Sequence, residues 1–361
     1  MQLPHFAALG VFSVYFLIIA ALFIFITKDL QSLASVSSSS IVTRLVFVAL
    51  TVASFAHTWF YMFYYMAWSF ADYGKGLQLN SPDSLTHVAS WLHDTSLFEQ
   101  AWALVCFNPQ NWWWSEQLCL FTAGTWTIFL VVEGKRYGVK HLWAYMLLGQ
   151  IVAISVASNM FYLAILLSQR PDVRSSASPR TVGLRIWLSV LLSLATIAAS
   201  PYTSRQIFLY NLLAMHALLF VPLFPFKSSR SLWIDIKTLY NIVYIASLAI
   251  HFKTSLVAFR SLILSHTSFQ TLSLEVALSA WNVLFSNPAQ SSIGWDVIWT
   301  SISFITWILL RPASSGQPLK YLSVPYLVAV TPLASVGVTA PYILQPRGDE
   351  SGKPISHLKR D

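Results

Sequence analysis

Three carboxylates, Asp94, Glu99 and Glu116, stand among an unusual density of tryptophan in the stretch from Trp91 to Leu167. Glu116 follows Asn111-Trp-Trp-Trp-Ser115 at the start of an apolar run. A charged side chain at mid-bilayer costs about 2.5–3.5 kcal/mol on insertion scales, so acids near spans tend to be functional. The competing reading is structural, because a glutamate in a first helical turn complements the macrodipole by roughly 0.3–1 kcal/mol. Trp112 lies one turn before Glu116, so ring and carboxyl can share a helix face. An acid walled by aromatic rings suits chemistry that generates a carbocation, since burial keeps a carboxyl protonated and π faces stabilise cations.

Asp94 and Glu99 fall in a helix-like, partly polar segment, Leu85 to Phe107, which Asn108-Pro109 terminates. They read either as a solvated face or as groups over a cavity mouth that deliver a proton or hold a water. Asn159 sits deep in another apolar run beside Phe161 and Tyr162. Its amide needs a partner in hydrocarbon, either on a neighbouring helix or on a substrate oxygen. Glu133 lies about 25 Å from Glu116 along one helix and reads as a partner of Arg136 or Lys140.

The elements that must position these groups are membrane helices. Of 361 residues, 56% are hydrophobic and only 10% charged, and the mean hydropathy is +0.59. A soluble domain is usually about a quarter charged. Apolar runs of about 20 residues recur, the length that crosses a bilayer core of about 30 Å. The expected class is all-α, a polytopic helical membrane protein of about eight or nine spans.

These spans are placed at about His5–Thr27, Leu45–Phe70, Trp112–Glu133, His141–Leu167, Leu184–Ser200, Ile207–Pro225, Leu239–Phe259, Trp295–Leu310 and Tyr321–Leu344. The first reads as a retained helix, because it lacks the basic start of a cleaved signal peptide. Residues 1–344 then form one membrane domain and 345–361 a polar tail. The net charge of +8 is spread over loops and tail, which suits lipid headgroups and excludes a nucleic-acid-binding domain. Cys106 and Cys119 are the only cysteines, too few for a disulfide framework or a cysteine metal site.

The chain also repeats itself. Ala101-Trp102 and Asn108-Pro109 recur as Ala280-Trp281 and Asn287-Pro288, 179 positions on (281 less 102). Thr125-Trp126 recurs as Thr306-Trp307, 181 positions on (307 less 126). Two four-span repeats, about 5–168 and 205–344, joined by one linking span at about 184–200, would face opposite ways across the membrane. The acids do not repeat: Asp94 aligns with Ser273, Glu99 with Leu278 and Glu116 with Val297. Glu275 and Asp296 are displaced by a few residues, so a single site in the first half is expected.

Three blocks resemble fungal integral-membrane terpene cyclases of the ascochlorin and ascofuranone type. They are Trp91-Leu-x-Asp94-Thr-x-Leu-Phe98, Trp112-Trp-Trp-Ser-x-Gln117 and His141-Leu-Trp-Ala-Tyr-Met-Leu-Leu-Gly-Gln150. The resemblance is best over 91–167, about a fifth of the chain. It implies cofactor-free protonation of an epoxide or olefin on a farnesyl-type meroterpenoid, followed by ring closure. Asp94, Glu99 and Glu116 would then supply the proton donor and its partner or final base. Trp102, Trp112, Trp113, Trp114, Trp126 and Tyr162 would wall the cation, with Asn108, Gln117 and Asn159 as polar substrate contacts. A prenyltransferase and a monooxygenase would be pathway neighbours, and the endoplasmic reticulum the expected membrane.

No aspartate pair of the diphosphate-ionising kind, phosphate-cradling glycine loop, nucleophile elbow or metal-ligand spacing is present in the sequence. The alternatives are an epoxide-opening enzyme acting on a polyketide chain, a lipid- or sterol-modifying isomerase or hydrolase, and an inverted-repeat transporter of a small lipophilic metabolite.

Overall fold

In the computed structural model the chain is a bundle of α-helices, and residues 3–35, 37, 39–75, 84–168, 181–224, 232–265, 268–311 and 320–346 are described. The Ser-, Arg- and Pro-rich centre of the chain and the tail beyond 346 lie outside them. Among the described residues seven helical stretches are long and apolar enough to span a membrane, and the protein is a multi-pass membrane protein.

The first helices are α1 (Leu3–Ala34) and α2 (Ile41–Lys75), both longer than the apolar runs suggest. The segment expected as one helix from Leu85 to Phe107 is two, α3 (Ser84–Thr95) and α4 (Leu97–Cys106). They meet at Ser96, a non-glycine residue in the left-handed region with φ 47°. The next span is continuous from Pro109 to Arg136 but changes pitch. It comprises α5 (Pro109–Leu120), a π-helical stretch (Phe121–Trp126) and α6 (Thr127–Arg136). Of all the spans it is the most enclosed, with 89% of its apolar window buried against 17% for α1 and α2, so it forms the axis of the bundle.

The expected span from His141 to Leu167 is broken in the middle. Helix α7 (Leu142–Ile151) stops, Ala153 is extended, and α8 (Ile154–Leu167) begins again. The helices α9 (Leu184–Ala199), α10 (Arg205–Leu218) and α11 (Ile236–Ala258) follow. A two-residue antiparallel ladder, β1 (Thr181–Val182) with β2 (Ile234–Asp235), ties the approach to α9 to that of α11. Helices α12 (Arg260–Ser265) and α13 (Phe269–Leu284) lead to α14 (Pro288–Leu310). The last expected span is also broken, into α15 (Lys320–Ala334) and α16 (Val336–Leu344), at Ser335 with φ 74°. Among the described residues the two broken runs, α7–α8 and α15–α16, are apolar helices too short to count with the seven continuous stretches.

Packing repeats between the halves. Helix α14 packs on α2 and α8, which also pack on each other; α5 packs on α11 and α16, which likewise pack on each other. The broken pairs α7–α8 and α15–α16 correspond in this scheme, while α1, α9 and α10 stand outside it. Each axial helix therefore serves the broken helix of the opposite half.

Close approach at one such contact depends on a missing side chain. A Cβ built on Gly337 would lie 2.6 Å from Leu120 Cβ and 3.0 Å from the Phe121 nitrogen. Gly337→Ala is expected to destabilise the fold by about 1–3 kcal/mol through overpacking. Thermal unfolding in detergent measures this, with Gly10→Ala, where a Cβ meets nothing within 4 Å, as the control.

Candidate active site

The two axial helices begin identically. Asn108 Oδ1 accepts from the Gln110 N–H and Asn287 Oδ1 from the Ala289 N–H, each at 2.9 Å, with proline at the first helical position. Asn108 is thus an N-cap. Counted from these caps, Glu116 is the eighth residue (116 less 108) and Asp296 the ninth (296 less 287). One residue rotates a side chain by about 100° around a helix of 3.6 residues per turn. The two acids therefore face different neighbours.

Asp296, on α14, faces the break between α7 and α8. Its Oδ2 accepts the Ile154 N–H at 2.9 Å and its Oδ1 the Ser155 N–H at 2.8 Å. These amides open α8 and have no partner within their own helix. One carboxyl thus caps the start of α8 from another helix, and each of its oxygens keeps a second lone pair that can carry a proton.

A chamber of about 200 Å³ lies at the same break, walled by α2, α4, α5, α10 and α14. Its surface is mainly apolar, with Met62, Phe98, Trp102 and Met215 among its walls. Asp296, His216, Gln150, Thr122 and the free thiols Cys106 and Cys119 supply its polar points. His216 Nδ1 lies 3.2 Å from Gln150 Oε1, and its ring stacks on Trp102 at 6.0 Å between centroids.

Glu116 is fully buried yet points elsewhere. Its Oε2 is 2.9 Å from Nδ1 of His251 on α11, and its Oε1 has no hydrogen-bond partner. His251 Nε2 is 3.2 Å from the Leu333 carbonyl, in the last turn before the break at Ser335. A carbonyl only accepts, so Nε2 carries a proton and the Glu116–His251 pair shares one more between Oε2 and Nδ1. The ninth position of this half is Gln117, whose carbonyl faces Gly337 at the start of α16 and whose Nε2 donates to the Trp113 carbonyl. The first half thus has an amide where the second has an acid.

The other expected acids are not brought to Glu116. Asp94 has a half-exposed carboxyl, bonded to His93 Nδ1 at 2.8 Å and to the Tyr73 hydroxyl at 2.5 Å. The His93 imidazole, followed by the Tyr73 hydroxyl, holds it below the usual carboxylate range. A group held ionised has no proton to give at neutral pH. Glu99 is exposed in the first turn of α4, where it complements the helix dipole. Glu133 pairs with Arg136 at 3.1 Å.

The tryptophans divide among several places. Trp102 lines the chamber, whereas Trp112 lines a separate cavity of about 270 Å³ beside Tyr202 and Lys253. Trp113 donates to Ser255 Oγ and Trp114 to the Ala280 carbonyl, both as fasteners between helices. Trp126 and Tyr162 belong to an aromatic core with Phe129, Phe161 and Trp307. Asn159 is wholly buried, with neither amide atom hydrogen-bonded.

His216, His251, Gln150 and the weight of Asp296 escaped the reading of the residues. An acid and two histidines inside apolar runs were the available signal. Their partners lie 66 to 142 positions away along the chain, where no spacing rule reaches.

Residues 85–166, from α3 into α8, are similar to a family described as "Protein of unknown function DUF2834". No curated protein and no solved structure matches the chain.

Proposed function

We propose that the protein is a membrane-bound cyclase that opens an epoxide, or protonates an olefin, at the prenyl end of a lipophilic meroterpenoid. The observation that carries this reading is a buried carboxyl and an imidazole lining one apolar, aromatic-walled chamber at a broken helix. The resemblance over 91–167 points to the same chemistry, and the endoplasmic reticulum is the membrane we assign on that ground.

In the proposed reaction the Asp296 carboxyl gives its proton to the epoxide oxygen as the carbon–oxygen bond at the more substituted carbon breaks. The Ile154 and Ser155 N–H groups stabilise the carboxylate left behind, a preorganised form of charge stabilisation. An internal double bond supplies the electron pair for the new carbon–carbon bond, and the positive charge moves along the chain. The faces of Trp102 and Phe98 stabilise that charge. His216 removes the last proton, so the product is an isomer of the substrate. Glu116 takes no part in these steps; its bond to His251 holds α5 against α11.

Microsomes containing only this chain should convert a farnesyl-aryl epoxide into a cyclised product of equal mass. If that epoxide stays intact while a polyketide epoxide closes, the chemistry stands with a different substrate. If both stay intact, and the farnesyl-aryl olefin does too, the cyclase reading is lost.

One observation favours a second reading. Two broken helices in corresponding positions, each seated on the axial helix of the opposite half, are the arrangement in which transporters hold a substrate. Under that reading the chamber would bind a lipophilic metabolite unchanged, and proteoliposomes would accumulate or release it without chemical conversion.

A further inference from the structure

We propose that His5, His93 and Asp94 form a binding site for a divalent transition metal of the zinc class, at the end of the bundle where α1 begins. One ligand atom from each of the three residues lies within 4.8 Å of the others. The imidazole rings of His5 and His93 are 5.1 Å apart at their centroids, tilted by 46°. His5 comes from the first turn of α1 and the other two from the last turns of α3, and these helices pack on each other. The sequence alone does not reveal the cluster, since 88 positions separate its first two members (93 less 5).

Three features suit a cation. His5 Nδ1 is buried without a hydrogen-bond partner, so this nitrogen of the imidazole is not committed to another group. The proton between His93 Nδ1 and Asp94 Oδ1, which are 2.8 Å apart, stands where a Lewis acid would bridge the same two atoms. The Tyr73 hydroxyl donates to Asp94 Oδ2, the outer hydrogen bond that orients a ligating carboxylate. Zinc binds nitrogen and carboxylate oxygen at about 2.0–2.2 Å, which puts tetrahedral donors about 3.3 Å apart. Closing the cluster to that spacing needs rotation of side chains, two of which are exposed. Two imidazoles and one carboxylate are a donor set for zinc, whereas magnesium and calcium prefer oxygen alone.

The site reaches the chamber through backbone. Asp94 is two residues from Ser96, whose left-handed conformation turns α3 into α4, and α4 supplies Phe98, Trp102 and Cys106 to the chamber wall. A metal here fastens α1 to α3 and so fixes the entry angle of α4. This role is independent of which reaction or transport step the chamber performs.

The test uses the purified full-length chain in detergent, without an affinity tag, stripped with a chelator and titrated with Co²⁺ as a coloured stand-in for Zn²⁺. One equivalent per chain should bind saturably, give visible d–d absorption and be displaced by Zn²⁺. His5→Ala and His93→Ala should each abolish the absorption while eluting from gel filtration as the wild type does. Tyr73→Phe should weaken binding by about 10–100-fold, the usual effect of losing an outer-shell partner. Absence of a saturable cobalt spectrum in the wild type overturns the site. So does unchanged binding in both histidine variants.

Discussion

Asp296→Asn is expected to lower turnover by at least about 10²-fold while leaving the protein folded. General acid catalysis by a positioned group contributes about 10²–10⁴-fold, and the amide has no acidic proton to deliver. Asn keeps one acceptor oxygen, so it can still hold one of the two N–H groups that Asp296 now serves. Losing the other costs about 1–3 kcal/mol if that N–H stays buried and unpaired. Asp296→Ala should be worse for stability because both amides are orphaned. Turnover in microsomes and thermal unfolding in detergent, measured on the same preparations, separate the two effects. A fall in activity that merely tracks the folded fraction would make Asp296 a helix cap and nothing more.

The largest expected effect on stability belongs to the Glu116–His251 pair. Both side chains are buried, at 0% and 4% relative exposure, so removing one partner strands the other in a low-dielectric site. Breaking a buried pair in this way costs about 3–5 kcal/mol. His251→Leu should therefore lower the unfolding temperature strongly, and it also frees the Leu333 carbonyl at the α15–α16 break. Glu116→Gln should be far milder, because its amide can still hydrogen-bond His251 Nδ1. The double variant Glu116→Leu/His251→Leu should recover part of the loss, since no unpaired charge remains. If the single and double variants lose stability additively, the pair is not coupled as its geometry requires. Glu116→Gln in the cyclisation assay completes the comparison: a small effect beside that of Asp296→Asn keeps the donor in the chamber.

Much of the architecture is legible in the residues because local physics writes it there. Composition and run length declare membrane helices, since the hydrocarbon core demands about 20 apolar residues with every backbone group internally bonded. The Asn-Pro pairs that open both axial helices are local signals, and the structure finds the same cap at each. The repeat shows in the same pairs. The break before α16 is not among these local signals: Tyr321–Leu344 reads as one span, and the structure divides it at Ser335, whose Oγ accepts the Gly337 N–H.

Tertiary structure decided the rest. No proline lies at Val152–Ala153, and the stretch reads as one apolar helix. It breaks because Asp296, 142 positions away from Ile154, accepts the amides that a continuous helix would have bonded internally. The same long-range step moved the chamber's acid from the first half to the second. A one-residue difference in register from the caps turned Asp296 toward that break and Glu116 toward His251. Side-chain type and local spacing thus determined the class of element and the caps that open both axial helices. Which acid meets the cavity depended on helix rotation and on contacts between halves, and these are set by packing that no local sequence window contains.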